Sequence, residues 1–130
     1  MRVRGETYAF ADCEIFIAGD LAGVAAVCPR DRPIAELVAI NAFERGRGIG
    51  TMLIEAVVAS LRGFDTLRLT TTNDNLDALR FYQRRGFRLS ALRSGAVDAA
   101  RRLKPSIPAL GDYGIPLRDE IDLVLRLRGG

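Results

Sequence analysis

Residues 35–57 read AELVAINAFERGRGIGTMLIEAV, and a change of pattern inside this stretch decides the fold. Ala35 to Ile40 is a short apolar run of strand type. From Gly50 onward Leu53, Ile54, Val57, Val58 and Leu61 recur at the i, i+3, i+4, i+7 spacing of an amphipathic helix, which Gly63 ends. Between strand and helix lies Arg45-Gly46-Arg47-Gly48-Ile49-Gly50-Thr51. At such a turn the first N–H groups of the helix and its positive end face any anion, glycine permits close backbone approach, and Arg45 and Arg47 add charge. The turn therefore reads as a phosphate or pyrophosphate site, or more plainly as a tight strand-to-helix connection. A P-loop needs Lys and then Ser or Thr after its last glycine, whereas the one lysine here is Lys104. A Rossmann fingerprint needs glycine where Thr51 stands and opens on the first strand of its fold. ATP and NAD are both disfavoured.

Upstream, Glu14–Ala18 (EIFIA) and Val24–Cys28 (VAAVC) are separated by Gly19-Asp20 and Gly23, which predicts antiparallel strands in a meander. Residues 1–13 leave room for a strand such as Met1–Arg4 and a short connection. Downstream, Thr66–Thr72 (TLRLTTT) alternates again. Asn75 can cap a helix over NLDALRFYQRRG, with Gly86 in the position that stops it. Phe87–Leu92 and Ile121–Leu127 read as two further strands. Between them Ser94–Lys104 has room for a short helix capped by Ser94, followed by a long segment set with Pro105, Pro108, Gly111, Gly114 and Pro116. A loop of that length needs a task or a rigid structural role. The sum is one α/β domain over residues 1–130, a mixed and mostly antiparallel sheet flanked by helices.

The 130 residues contain no His and no Trp, and two Cys. Without imidazole there is no Ser-His-Asp or Cys-His nucleophile system and no His-rich metal site. Cys13 and Cys28 lack the spacing of a zinc or redox motif, so no metal is expected. The net charge of +3 arises from 19 basic and 16 acidic residues that interleave, with no basic stripe and no nucleic-acid reading motif. No apolar run approaches the ~20 residues of a membrane span, and no apolar segment of signal-peptide type follows MRVRGETYAF. The expected setting is cytoplasmic, with no nucleic acid and no membrane as partner.

Two segments, AELVAINAFERGRGIGTMLIEAV and NDNLDALRFYQRRGFRL, together resemble the GNAT superfamily of acetyl-CoA-dependent N-acyltransferases. The second matches the family's Asn-x-x-Ala-x-x-Phe-Tyr-x-x-x-Gly-Phe element. The resemblance implies that backbone N–H groups from Arg45, Gly46, Arg47, Gly48, Ile49, Gly50 and Thr51 cradle the CoA pyrophosphate. It implies that Val38 to Ile40 pair with the pantetheine arm as an added strand would, and that the Ile40 N–H polarises the thioester carbonyl. Asn75 would contact the pantetheine or the acceptor. Tyr82 corresponds to the family's tyrosine beside the CoA sulfur, where a phenol of pKa ≈ 10 stays protonated and can donate to the departing thiolate; the plain reading is a core aromatic, which is the one expected for Phe81 and Phe87. The acceptor ammonium must lose a proton, to Glu36 or to ordered water. By strand alternation Glu36 shares a face with Val38 and Ile40.

The implied activity is transfer of an acetyl group from acetyl-CoA to an amine, small-molecule or peptide, by direct attack. The family's first helices, which wall the acceptor pocket, have little room before residue 14, so the N-terminal helical region reads as shortened. Either the Pro-rich segment, with Arg101, Arg102, Lys104, Tyr113 or Arg118, or a second subunit of a homodimer would complete that side. The rival is a non-catalytic acyl-CoA-binding sensor.

Overall fold

The structure, a computed structural model, describes residues 2–3, 6–7, 14–18, 23–29, 34–42 and 48–127, with side chains described for 34–37 and 48–127. Cys13 and the side chain of Cys28 lie outside the described residues. The chain forms two compact units, residues 1–69 with 126–130 and residues 70–125.

In the first unit β1 (Arg2–Val3) and β2 (Glu6–Thr7) make a small antiparallel pair. Strands β3 (Glu14–Ala18), β4 (Gly23–Pro29) and β5 (Ile34–Ala42) form the expected antiparallel meander, and β5 pairs in parallel with β6 (Thr66–Thr72). Helix α1 (Ile49–Ser60) makes the crossover between the two parallel strands and packs on β3, β4 and β5. Its buried side chains, Ile49, Leu53, Ile54 and Val57, are the apolar stripe of the sequence. With Ala35, Leu37, Leu67 and Leu69 they make the core. Among the described residues no helix precedes α1.

The second unit carries the strand order β6–β8–β7, with β7 (Arg88–Arg93) antiparallel to β8 (Glu120–Arg126), and it holds α2 (Leu76–Arg84) and α3 (Ala96–Leu103). The result is the mixed, mostly antiparallel α/β fold that the pattern implied. Two details differ from the sequence reading. The N-cap of α3 is Gly95 at φ 74, not Ser94, because the Gly95 N–H is taken by the Asp119 carboxylate at 2.7 Å. The edge strand β7 sits one residue later, with Ser90 bulged between Leu89 and Ala91.

A half-buried network centred on buried Asp122 ties the strands of this unit. The Arg93 guanidinium grips Asp122 through Nη1 at 2.6 Å and Nη2 at 2.8 Å, its Nε reaches Glu120 at 3.1 Å, and the Thr70 hydroxyl donates to Asp122 at 2.7 Å. The bond to Asp122 pushes the Arg93 pKa further above its ordinary value, so the charge is permanent.

The long segment after α3 is stapled to the turn before α2. Asn73 donates its amide to the Pro116 carbonyl at 2.8 Å and accepts from the N–H groups of Arg118 and Asp119 at 3.0 and 2.9 Å. Asp74, buried, accepts from the Thr72 hydroxyl at 2.5 Å and from the Asp112 N–H at 2.8 Å, and Gly111 lies against its carboxylate. Arg101 holds the carbonyls of Ile107, Pro108 and Leu117 from inside the loop. A side chain at 111 would enter the space of Asp74. Gly111→Ala is therefore expected to destabilise by about 1–3 kcal/mol in urea unfolding, and Gly111→Ala in an Asp74→Ala background should cost measurably less than that, since the two sites are coupled.

Candidate active site

The turn into α1 is built on glycine for a conformational reason. Gly48 is the N-cap with φ 71 and ψ 15, a left-handed conformation that costs other residues roughly 1–2 kcal/mol, and an added Cβ there would meet nothing within 4 Å. Its carbonyl accepts from the Met52 N–H at 3.0 Å. No side chain caps the helix and no acidic residue stands in its first turn, so neither competes with an anion at the positive end. Ile49 is buried, which leaves its backbone and not its side chain for a ligand; Gly50 and Thr51 follow in the first turn. Arg45, Gly46 and Arg47 lie outside the described residues.

Within the first unit the parallel ladder of β5 with β6 runs from Ile34↔Thr66 to Leu37↔Leu69, and Ala35–Leu37 and Ala39–Ala42 pair with β4. Opposite β4 the register runs Ala26↔Ala39 and then Val27↔Leu37, so Val38 is an extra, bulged residue. The side chains of Val38 and Ile40, whose face Glu36 was expected to share, lie outside the described residues. Glu36 itself is fully buried, and its Oε1 accepts from the Nε of Arg68 at 3.0 Å. Arg68, the strand partner of Glu36, was not among the residues singled out from the sequence, because a pairing 32 positions apart leaves no local pattern.

Helix α2 is closed at both ends by its own sequence. The Asn75 carbonyl oxygen accepts from the Ala78 N–H at 3.2 Å, the standard N-cap bond, and its amide donates to Thr71 at 3.1 Å. At the other end Gly86 is left-handed at φ 96, its N–H bonds to the Gln83 carbonyl at 3.1 Å, and the Phe87 N–H bonds to the Tyr82 carbonyl at 3.1 Å. This is a Schellman motif, whose accompanying apolar contact is the pair of rings that its two ends bring together. Tyr82 and Phe87 meet edge to face with centroids 5.2 Å apart, and Phe81 meets Tyr82 at the same distance. Phe87 is core, as expected, whereas Phe81 is half-buried, with the Arg85 guanidinium 3.8 Å above its ring. Only 5% of Tyr82 is exposed, and burial pushes its phenol well above the ordinary 10.0. The group therefore stays protonated across the neutral range.

Of the residues offered from the Pro-rich segment, Arg101 is engaged inside the loop, while Arg102, Lys104 and Arg118 are exposed. Tyr113 is exposed and left-handed at φ 60, and its hydroxyl donates to Asp77 at 2.6 Å; that bond is the main cause of its raised pKa. Asn73 and Asp74, which fasten this loop, were missed in the sequence, although both stand in the TTNDN turn.

An acyltransferase-like α/β fold with a glycine-opened helix end after its longest strand is the class that these features define. The family model for the acetyltransferase (GNAT) family matches residues 3–87, and the chain belongs to that family. It is 44% identical over 95 residues to the Bacillus subtilis (strain 168) protein YxbD, covering 72% of this chain and 60% of that one. It is 39% identical over 93 residues to streptothricin acetyltransferase of Streptomyces lavendulae, covering 65% of this chain and 49% of the enzyme. The chain thus spans less than two thirds of either relative. Among solved structures, a Bacillus subtilis acetyltransferase in complex with CoA superposes with a TM-score of 0.76 at 26% identity, over 91% of this chain and 79% of the other. No helix among the described residues is long and apolar enough to cross a membrane, and no group of three or more acidic or Cys residues there is placed to hold a metal ion.

Because Tyr82 has a raised folded-state pKa, its contribution to stability is complete below pH about 10, where the unfolded phenol begins to ionise, and is lost as pH rises from there toward the folded value. Tyr82→Phe should remove that part of the alkaline decline in urea-unfolding free energy, while Tyr113→Phe, at an exposed ring, should leave most of it. Asn75→Ala is expected to cost about 1 kcal/mol and Asn75→Ser to recover most of it.

Proposed function

We propose that this chain is an acetyltransferase that moves the acetyl group of acetyl-CoA to an amine by direct attack, with residues 1–130 acting as one acyltransferase domain. The observation that carries the reading is the succession, in one unit, of strand β5 and an uncapped, glycine-opened helix end at Gly48. Acyl-CoA is a molecule with an extended, amide-bearing arm and a pyrophosphate, and the two features suit those two parts. Backbone N–H groups from Gly48, Ile49, Gly50 and Thr51, with Arg45, Gly46 and Arg47, hold the pyrophosphate. Val38 and Ile40 pair with the arm, and the Ile40 N–H polarises the thioester carbonyl. Membership of the family and the CoA complex of the structural relative support the same reading.

Tyr82 protonates the thiolate as it departs. A phenol holds its proton at neutral pH and can deliver it as sulfur gains charge, a donation that contributes typically 10²–10⁴-fold to the rate. The acceptor's own proton leaves through ordered water, with Glu36 as the alternative base; the complete burial of Glu36 and its bond to Arg68 favour water. Asn75 has one N–H of its amide bound to Thr71 and a second available to the arm or the acceptor. The acceptor is an amine, small-molecule or peptide, and the similarity to streptothricin acetyltransferase makes a cationic antibiotic amine the first compound to try. A homodimer is the further arrangement to examine, and the setting is cytoplasmic.

The experiment follows thiol release from acetyl-CoA with a panel of streptothricin, polyamines, amino acids and peptides. Wild type is expected to turn over at least one acceptor, and Tyr82→Phe to lose at least 10²-fold in kcat while keeping CoA-induced thermal stabilisation. Gly48→Val, which puts a branched side chain at the pyrophosphate turn, should abolish that stabilisation. Tight CoA binding with no release on any acceptor would favour a non-catalytic acyl-CoA sensor.

A further inference from the structure

Helix α2 starts on a turn that is tied to the long loop after α3. One oxygen of the Asp74 carboxylate takes the Asp112 N–H of the loop at 2.8 Å, and the other takes the Thr72 hydroxyl at 2.5 Å. The carbonyl of the same Thr72 accepts from the Asn75 N–H at 3.1 Å, and the Asp74 carbonyl accepts from the Leu76 N–H at 2.8 Å. A continuous path of hydrogen bonds therefore runs from the loop through Asp74 and Thr72 to Asn75, the N-cap of α2. Asp74 is buried, which shields both carboxylate bonds from water. Asn73 holds the exit of the loop, and the Tyr113 hydroxyl reaches Asp77 in the first turn of α2.

Capping alone does not need this arrangement. Ser, Thr or Asp would accept from the Ala78 N–H as well as Asn75 does. What asparagine adds is an amide with two N–H groups: one lies on Thr71, and the second is the one offered above to the arm of acyl-CoA or to the acceptor. A donor that serves a ligand must be aimed, and its aim depends on where the turn holds the Asn75 backbone.

We propose that Asp74 is a positioning residue that acts through Asn75: it clamps the turn between the loop and Thr72, and so aims the Asn75 amide. The loop of residues 104–119 is the brace for that clamp. Tyr82, at the other end of α2, is held by its ring contact with Phe87 and lies outside the clamp. The inference rests on the acyl-CoA reading above.

The test is a double-variant cycle on steady-state rates. Asn75→Ala should raise the KM of the substrate that its amide serves, acetyl-CoA or the acceptor. Asp74→Ala should raise that same KM about fivefold, the worth of one hydrogen bond, and leave kcat within about threefold. In the Asn75→Ala background Asp74→Ala should add less than about twofold, because its effect passes through the missing amide. Asp74→Asn, which keeps an acceptor for the Asp112 N–H, should bring KM back to within about twofold of wild type. Thr72→Val cuts the same path and carries the cycle if Asp74→Ala does not fold. Additive effects of the two changes, or a KM that neither change moves, overturn the proposal. A wild type that neither binds CoA nor turns over any acceptor removes the acyl-CoA reading instead. Exchange of the Ala78 amide, which Asn75 caps, then decides the clamp by itself: at least tenfold faster in Asp74→Ala supports it, and unchanged exchange overturns it.

Discussion

The parallel pairing of β5 with β6 across Ile34–Leu37, with α1 as the crossover between them, is the constraint on which the first unit depends. It places Ala35 and Leu37 in the core with Leu67 and Leu69, while β4 pairs along β5 as far as Ala42, past a bulge at Val38. Family membership gives this geometry its meaning, because a CoA-bound relative shares the fold.

The second unit shows how one motif serves structure first. The run from Asn75 to Phe87 is a helix with its caps included, Asn75 at one end and Gly86 with Phe87 at the other. The closing motif brings Phe87 onto Tyr82, and the burial that results is the cause of the raised phenol pKa. The same contact makes Tyr82 part of the core and keeps its phenol neutral across a wider pH range than an exposed one.

Most of the architecture could be read from local pattern. The limits of β3 and β6 fell where alternation and glycine put them, and α1 and α2 within about a residue, because each depends on neighbours three, four or two positions away. The misreadings share one physical origin. Ser94 gave way to Gly95 at the start of α3 because Asp119, distant in sequence, takes the Gly95 N–H. A one-residue bulge at Val38 has no signature in an apolar run such as ELVAI. Arg68, Asn73 and Asp74 act across 32 to 46 positions, and only the folded chain brings their partners to them. The glycine turn was legible as a strand-to-helix connection, and the positive φ at Gly48 adds the reason glycine stands there.

The central claim is that the backbone of β5 at Val38–Ile40 receives the arm of acyl-CoA. Residue-resolved amide exchange of the wild-type protein, with and without saturating CoA, addresses it most directly. The account predicts fast exchange at one or more of Val38, Ala39 and Ile40 in the free protein and at least tenfold protection there on adding CoA, together with protection of Ile49 and Gly50 at the start of α1. CoA binding that leaves the β5 amides unprotected would contradict it.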